Sequence, residues 1–322
     1  MENRPRTLEL TAKRSFSGIG AALTVVGTVT VVLQLLAAAL LAGSGALSSS
    51  WRMWIVSFVP LYVVAIPIGL LLFKKIPARP IRENRLGAGK FFLFLIMCFP
   101  MMYGGNVIGS ILSLLLSGGS AQNEILNYAL DTNPVKIVVI VALAPVLEEY
   151  VFRRQIIDRS AKYGEKLSIL FSALVFGLFH MNLYQFFYAF GIGLILGYVY
   201  VRTGRIRYTV ALHMILNFLG GVATPWLLSA LNPDVLTDGT AGMLEMVQML
   251  PGMLAFLAYA AVMFGLAVAG LVLLIVKRGD RTFLPAEEEL PEKGRMKAAL
   301  LNPGVLAYVA VCLGMTVWAL FA

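Results

Sequence analysis

Residues 135–158 read VKIVVIVALAPVLEEYVFRRQIID, an apolar run whose second half carries Glu148-Glu149 and Arg153-Arg154. Strand-type alternation is absent, and a backbone in lipid is satisfied only within a helix or a closed barrel, so the run reads as a membrane-spanning helix. Apolar residues continue past the charges, which carries the helix to about Ser160 and leaves the two carboxylates near its middle. Ionisable groups in hydrocarbon cost on the order of several kcal/mol unless they are partnered. The chain's two histidines, His180 and His213, also lie in apolar segments downstream. Three polar interruptions in three apolar segments point to one shared site inside a membrane.

The rest of the sequence agrees with this reading. Of 322 residues, 59% are hydrophobic and 13% charged, and the mean hydropathy is +0.82, outside the range of soluble globular chains. Further runs of spanning length, about 20 residues each, occur near 18–43, 54–73, 90–117, 254–276 and 299–321, with three more near 167–182, 184–201 and 206–229. The expected fold is all-α: a polytopic transmembrane helical bundle of eight or nine spans, forming a single integral-membrane domain over residues 1–322. The count is open because 167–182 is short and the next run follows almost without a loop. Residues 118–134 read as a short helix on the outer face, and Lys277–Lys297, with Glu287-Glu288-Glu289, as a surface loop. The apolar stretch within Met1–Ser50 runs about 26 residues, longer than the 7–15 of a signal sequence, and reads as a retained first span. Cys98 and Cys312 lie in apolar runs with no paired spacing and read as packing residues.

The net charge of +9 raises the question of an anionic partner, which the placement of the basic residues answers. They gather before the first span, at Lys74–Lys90, at Arg153–Lys166, at Arg202–Arg207 and at Lys277–Lys297; of 26 lysines and arginines only Arg52 and Lys136 fall elsewhere. This alternation is the positive-inside pattern, with the N-terminus cytosolic. The basic excess is topological, and nucleic-acid binding is excluded as a reading.

Within the polar constellation, adjacent helical residues differ by about 100° in direction, so Glu148 and Glu149 must play different parts. Glu149 and Arg153 stand at i, i+4, the favourable order for an ion pair. That assigns Glu149 to Arg153 and leaves Glu148 facing the interior with fewer partners, suited to taking and returning a proton. Phe176 and His180 share a face, as do His213 and Asn217, whose amide can donate to a developing oxyanion or to a neighbouring helix. Glu148 lies 14 residues before Lys162 and His180 14 after Lys166, equal depths of about 21 Å. His213 is only six residues beyond Arg207, about 9 Å. Either its helix starts deeper or the Arg202–Arg207 hairpin dips inward.

At these residues the chain resembles the CAAX protease and bacteriocin-processing family of intramembrane endopeptidases, also called the Abi family. The family's E-E-x-x-x-R motif matches Glu148, Glu149 and Arg153, its F-x-x-x-H motif Phe176 and His180, and its H-x-x-x-N motif His213 and Asn217, over about residues 130–225. The resemblance implies a catalytic core in which Glu148 and His180 activate a water for attack on an amide. It assigns His213 and Asn217 to the oxyanion and gives Glu149 and Arg153 a supporting role. It implies a peptide or protein substrate in or at the membrane, prenylated in some members, and a site opening to the cytosolic side. It leaves the cofactor open between none and zinc, for which Glu148, His180 and His213 could supply ligands. Two readings compete with it: a proton- or cation-coupled transporter using the same groups, and a non-catalytic membrane immunity or scaffold protein. The absence of an internal repeat weighs against the first, the complete set of polar residues against the second.

Overall fold

The computed structural model describes residues 3–43, 45, 47–229, 231, 243–280 and 282–321, and every regular element among them is helical. Residues 232–242, between the runs near 206–229 and 254–276, are therefore outside the described residues. Seven helices are long and apolar enough to cross a membrane: Thr7–Leu41, Ser49–Phe73, Ala88–Ser117, Leu183–Thr203, Ile206–Ser229, Val247–Asp280 and Pro303–Phe321. The two remaining expected spans are helical too, and they differ in kind. Glu165–Phe179 has 15 residues, about 22 Å, and residues 137–160 form a rod of alternating winding. These two carry Phe176, Glu148 and Glu149. The integral, multi-pass character is written on the outer faces, where Leu35, Leu40, Val63, Leu254, Phe264 and Trp318 stand exposed as a lipid-facing shell requires.

Close helix contact is made where side chains are smallest. A Cβ added to Gly105 would come within 2.4 Å of the Tyr188 backbone, and one on Gly109 within 2.2 Å of the Leu183 carbonyl oxygen. The 88–117 helix thus docks on the 183–203 helix through a small-x-x-x-small stripe, which brings backbones together where lipid offers no hydrophobic drive. The Gly104-Gly105-Asn106 stretch is accordingly a packing feature, with Asn106 itself exposed. The 183–203 helix packs in turn on Glu165–Phe179, and the first span packs along the last. Cys98 and Cys312 are buried and free, as their positions imply.

At the basic end of the bundle, two extended segments lie across the helix termini. The first runs through residues 79–86: the Arg79 amide donates to the Asp158 carbonyl at 2.6 Å, the Asn84 amide to the Thr203 carbonyl at 2.8 Å, and the Leu86 amide to the Tyr208 hydroxyl at 3.2 Å. Gly204, at φ +59, has the Ile81 carbonyl so close that a Cβ would meet it at 2.5 Å. The Arg202–Arg207 hairpin is thus roofed by chain. The second segment is the acidic loop. Its Glu288 and Leu290 amides donate to the Lys162 and Tyr163 carbonyls at 3.1 and 3.2 Å, Leu290 is buried, and Arg79 pairs with Glu287. What the sequence offers as a surface loop is a docked strap.

At the opposite end, Asn123 caps the short helix Glu124–Leu130, accepting from the Ile125 amide at 3.2 Å. Asp131 then ties this helix to the second span, accepting from Ser50 Oγ and Trp54 Nε1 at 2.6 Å each and from the Asn133 amide at 3.1 Å. Burial opposes the Asp131 charge, but the Ser50, Asn133 and Trp54 bonds outweigh it and hold the carboxyl below the ordinary carboxylate range. A depressed folded value means stability that is present above about pH 4 and is lost as pH falls through the folded value. Acidification below about pH 4 should therefore loosen this end first, and Asp131→Asn should remove that acid dependence. Proteolysis of the 118–134 connection in reconstituted protein, followed against pH, measures it.

Candidate active site

Arg153 is fully buried and fully used. Its Nε and Nη2 donate to the two oxygens of Glu149 at 3.0 and 3.3 Å, Nη1 donates to Ser172 Oγ at 3.0 Å, and the guanidinium lies 4.9 Å from the centroid of Phe176. Ser172 passes its own hydrogen to the Phe152 carbonyl at 2.6 Å. The i, i+4 pairing expected of Glu149 and Arg153 is present, across a junction where the α-helical turn Ala144–Glu149 gives way to the π-wound turn Tyr150–Gln155. Such wide turns concentrate at functional sites.

The two glutamates straddle one imidazole. His213 Nδ1 lies 3.1 Å from Glu149 Oε1, while Nε2 lies 3.8 Å from Glu148 Oε2. Glu149 is the acceptor of the Arg153 fork, so the Nδ1 proton points to Glu149 and its partner fixes the ring, as a carboxylate orients a histidine elsewhere. Nε2 then faces Glu148. The other oxygen of Glu148, Oε1, accepts from the Tyr62 hydroxyl at 3.1 Å, and Glu148 and His213 are each 7% exposed. The 100° between successive helical residues has become two carboxylates on either edge of a ring.

His180 reaches this cluster differently. It ends the Glu165–Phe179 helix with Nδ1 3.0 Å from the Phe176 carbonyl, and its ring meets Phe176 edge-on at 5.0 Å; the same Phe176 ring meets His213 at 5.8 Å. Phe176 therefore contacts both imidazoles and the guanidinium. Among the described residues no hydrogen bond or ion pair joins His180 to Glu148. The corner after His180 is tight: Met181 holds φ +52, a conformation that strains a non-glycine residue. Asn182 fixes it, donating to the His180 carbonyl at 2.6 Å and capping the next helix by accepting from the Gln185 amide at 2.9 Å. This turn is why the two apolar runs follow without a loop.

Asn217 points to a backbone oxygen. Its Nδ2 donates to the Ile140 carbonyl at 2.9 Å. Ile140 lies in the π-wound turn Ile137–Leu143, where the Ala144 amide serves Val139. By the same i to i+5 pattern Ile140 would look to residue 145, which is a proline without an N–H. Asn217 replaces the missing donor with one of its two amide hydrogens and keeps the other. Asn217→Ala should therefore destabilise the protein by about 1 kcal/mol, the low end of the cost of stranding an acceptor because this one is only part-buried, measured as the shift in unfolding midpoint in detergent. A side chain serving only a reacting oxyanion would leave that midpoint unchanged.

Glu148, His180 and His213 are the zinc candidates of the sequence reading. Among the described residues no three of His, Cys, Asp and Glu converge as metal ligands, and of the three candidates His180 stands apart from the contact between Glu148 and His213. Tyr62, Ser172 and the central placement of Phe176 went unread in the sequence. The signal for Tyr62 was a hydroxyl in the middle of an apolar run, away from the interfacial belts where tyrosine is common, two residues after the helix-disturbing Pro60.

Residues 131–219 match the family model of type II CAAX prenyl endopeptidases, Rce1-like. The Bacillus subtilis (strain 168) protein named "Putative membrane peptidase YdiL" is 26% identical over 171 residues, which covers 51% of this chain and 67% of that protein. No solved structure matches the chain at a significant level. The chain is a multi-pass membrane protein whose segment 131–219, holding both glutamates, both histidines and Asn217, is similar to the Rce1-like CAAX prenyl endopeptidases.

Proposed function

We propose that the protein hydrolyses a peptide bond in a membrane-associated substrate, with Glu148 as the base that takes a proton from the attacking water. The observation that carries this reading is the ordered chain Arg153–Glu149–His213–Glu148. The guanidinium compensates one carboxylate, that carboxylate fixes one tautomer of the imidazole, and the second carboxylate is left facing Nε2. A carboxylate and an oriented imidazole side by side can take the water proton and return it to the leaving amine. The second amide hydrogen of Asn217 is assigned to the developing oxyanion, and His213 joins it once Nε2 has taken a proton. His180, across Phe176, is assigned to the far side of the reacting group. All of these steps use the chain's own side chains.

The substrate class we propose is a prenylated peptide cut near its C-terminus, on the strength of the family match, with access from the basic, cytosolic end. A farnesylated CAAX peptide carrying a quenched fluorophore, offered to purified protein in liposomes, should be cleaved, while the same peptide without the prenyl group should be cleaved poorly. If neither peptide is cleaved and the protein instead drives proton-coupled uptake, the transporter reading replaces this one. Zinc analysis belongs to the same preparation: stoichiometric metal whose chelation stops cleavage would overturn the assignment of water activation to Glu148 alone.

A further inference from the structure

The site has a member outside the 131–219 segment, contributed by the second span. Tyr62 is buried, its hydroxyl donates to Glu148 Oε1 at 3.1 Å, and it stands in the π-wound turn Pro60–Ala65. Pro60 lacks the N–H that would close an ordinary turn. The wider winding there changes which direction each following side chain takes, and so belongs to the aiming of Tyr62.

The tyrosine is also held from behind. Its ring stacks on Phe58 at 5.8 Å and 17°, and Phe58 stacks on Trp54 at 5.1 Å and 22°. Residues 54, 58 and 62 form a column along one helix face. At its outer end the Trp54 indole donates to Asp131 at 2.6 Å, and at its inner end the Tyr62 phenol donates to Glu148. A stacked column pinned to a carboxylate at each end has little freedom to rotate, and a hydrogen bond to an ionisable acceptor is among the stronger kinds. By occupying Oε1, Tyr62 sets the plane of the Glu148 carboxyl and leaves Oε2 toward His213 Nε2, 3.8 Å away.

We propose that Tyr62 is the positioning residue of Glu148, acting through the catalytic carboxyl and not on the substrate. The inference rests on the reading of Glu148 as the base, and its test separates the two. Three variants are compared in liposomes: Glu148→Gln, Tyr62→Phe and Phe58→Leu. Infrared difference spectra identify the Glu148 carboxyl or carboxylate stretch as the band that Glu148→Gln removes. Tyr62→Phe, which keeps the stack and loses the hydroxyl, should shift that band. It should also lower kcat for the farnesylated peptide about tenfold, the loss of one charge-assisted bond, with KM unchanged. Phe58→Leu, which weakens packing and keeps the hydroxyl, should lower the unfolding midpoint and leave the band in place. A band unmoved in Tyr62→Phe overturns the proposed contact whatever the activity. A moved band with kcat within about twofold of the parent overturns its part in turnover. Full activity in Glu148→Gln would instead remove Glu148 as the base, the reading on which this inference rests.

Discussion

Glu148→Gln should lower peptide cleavage by about a hundredfold to ten-thousandfold, the range that a positioned general base contributes, while the protein folds as before. Glutamine has nearly the shape of glutamate and retains a carbonyl oxygen that can accept from Tyr62. What it loses is the capacity to bind and release a proton at the atom facing His213 Nε2. The loss should appear in kcat, with KM for the farnesylated peptide little changed, because the proton moves only in the transition state. Glu148→Asp is the informative companion. It keeps the carboxyl but withdraws it by one methylene from both Tyr62 and His213, and a displacement of about 1 Å in such a site is worth about a hundredfold. Unimpaired cleavage by the glutamine variant would shift attention to His213, the other oriented proton acceptor in the cluster.

How far the sequence carried this site depends on which of its physical causes are local. The i, i+4 spacing of Glu149 and Arg153 is a property of one helix, and the pair forms as that spacing requires. The convergence of His213 on the glutamates follows from the cost of isolated polar groups in lipid, which is a property of each residue alone. Other features depend on more than one segment. A uniform 100° step cannot foresee a rod that alternates α and π winding at Leu143, Glu149 and Gln155. The use of Asn217 follows from that winding together with Pro145, two facts that meet only in three dimensions. The sequence left open how the Arg202–Arg207 hairpin sits; the 79–86 segment packs over it, a contact between distant segments. Tyr62 lies 86 residues from Glu148, in a span whose sequence has no local reason to name its partner. Seven of the expected spans were legible as continuous apolar helices. The two that hold the charges and Phe176 are shorter or interrupted, since the chemistry itself breaks the hydrophobic run.

Arg153→Met should be the most destabilising single change in the cluster, by about 3–5 kcal/mol, the cost of removing one partner from a buried ion pair. Methionine fills much of the volume, so the loss is electrostatic more than steric. Glu149 would be left buried with His213 and Thr209 as its remaining partners, Ser172 Oγ would lose the donor it now has from Nη1, and Phe176 would lose the cation over its face. Arg153→Lys should rescue little of this. A lysine ammonium cannot span both Glu149 oxygens and Ser172 from one planar group, as the guanidinium does here with three nitrogens. The decisive comparison is the double variant Arg153→Met with Glu149→Leu. Because a buried pair is costly to desolvate, replacing both members should recover most of the stability lost in Arg153→Met. Cleavage should stay low in the double variant, since His213 would lack the carboxylate that fixes its ring. Unfolding midpoints in denaturant-titrated micelles measure the first effect and turnover of the farnesylated peptide the second. A double variant no more stable than Arg153→Met would mean that the guanidinium holds the helices together chiefly through Ser172 and Phe176, with the carboxylate a minor partner.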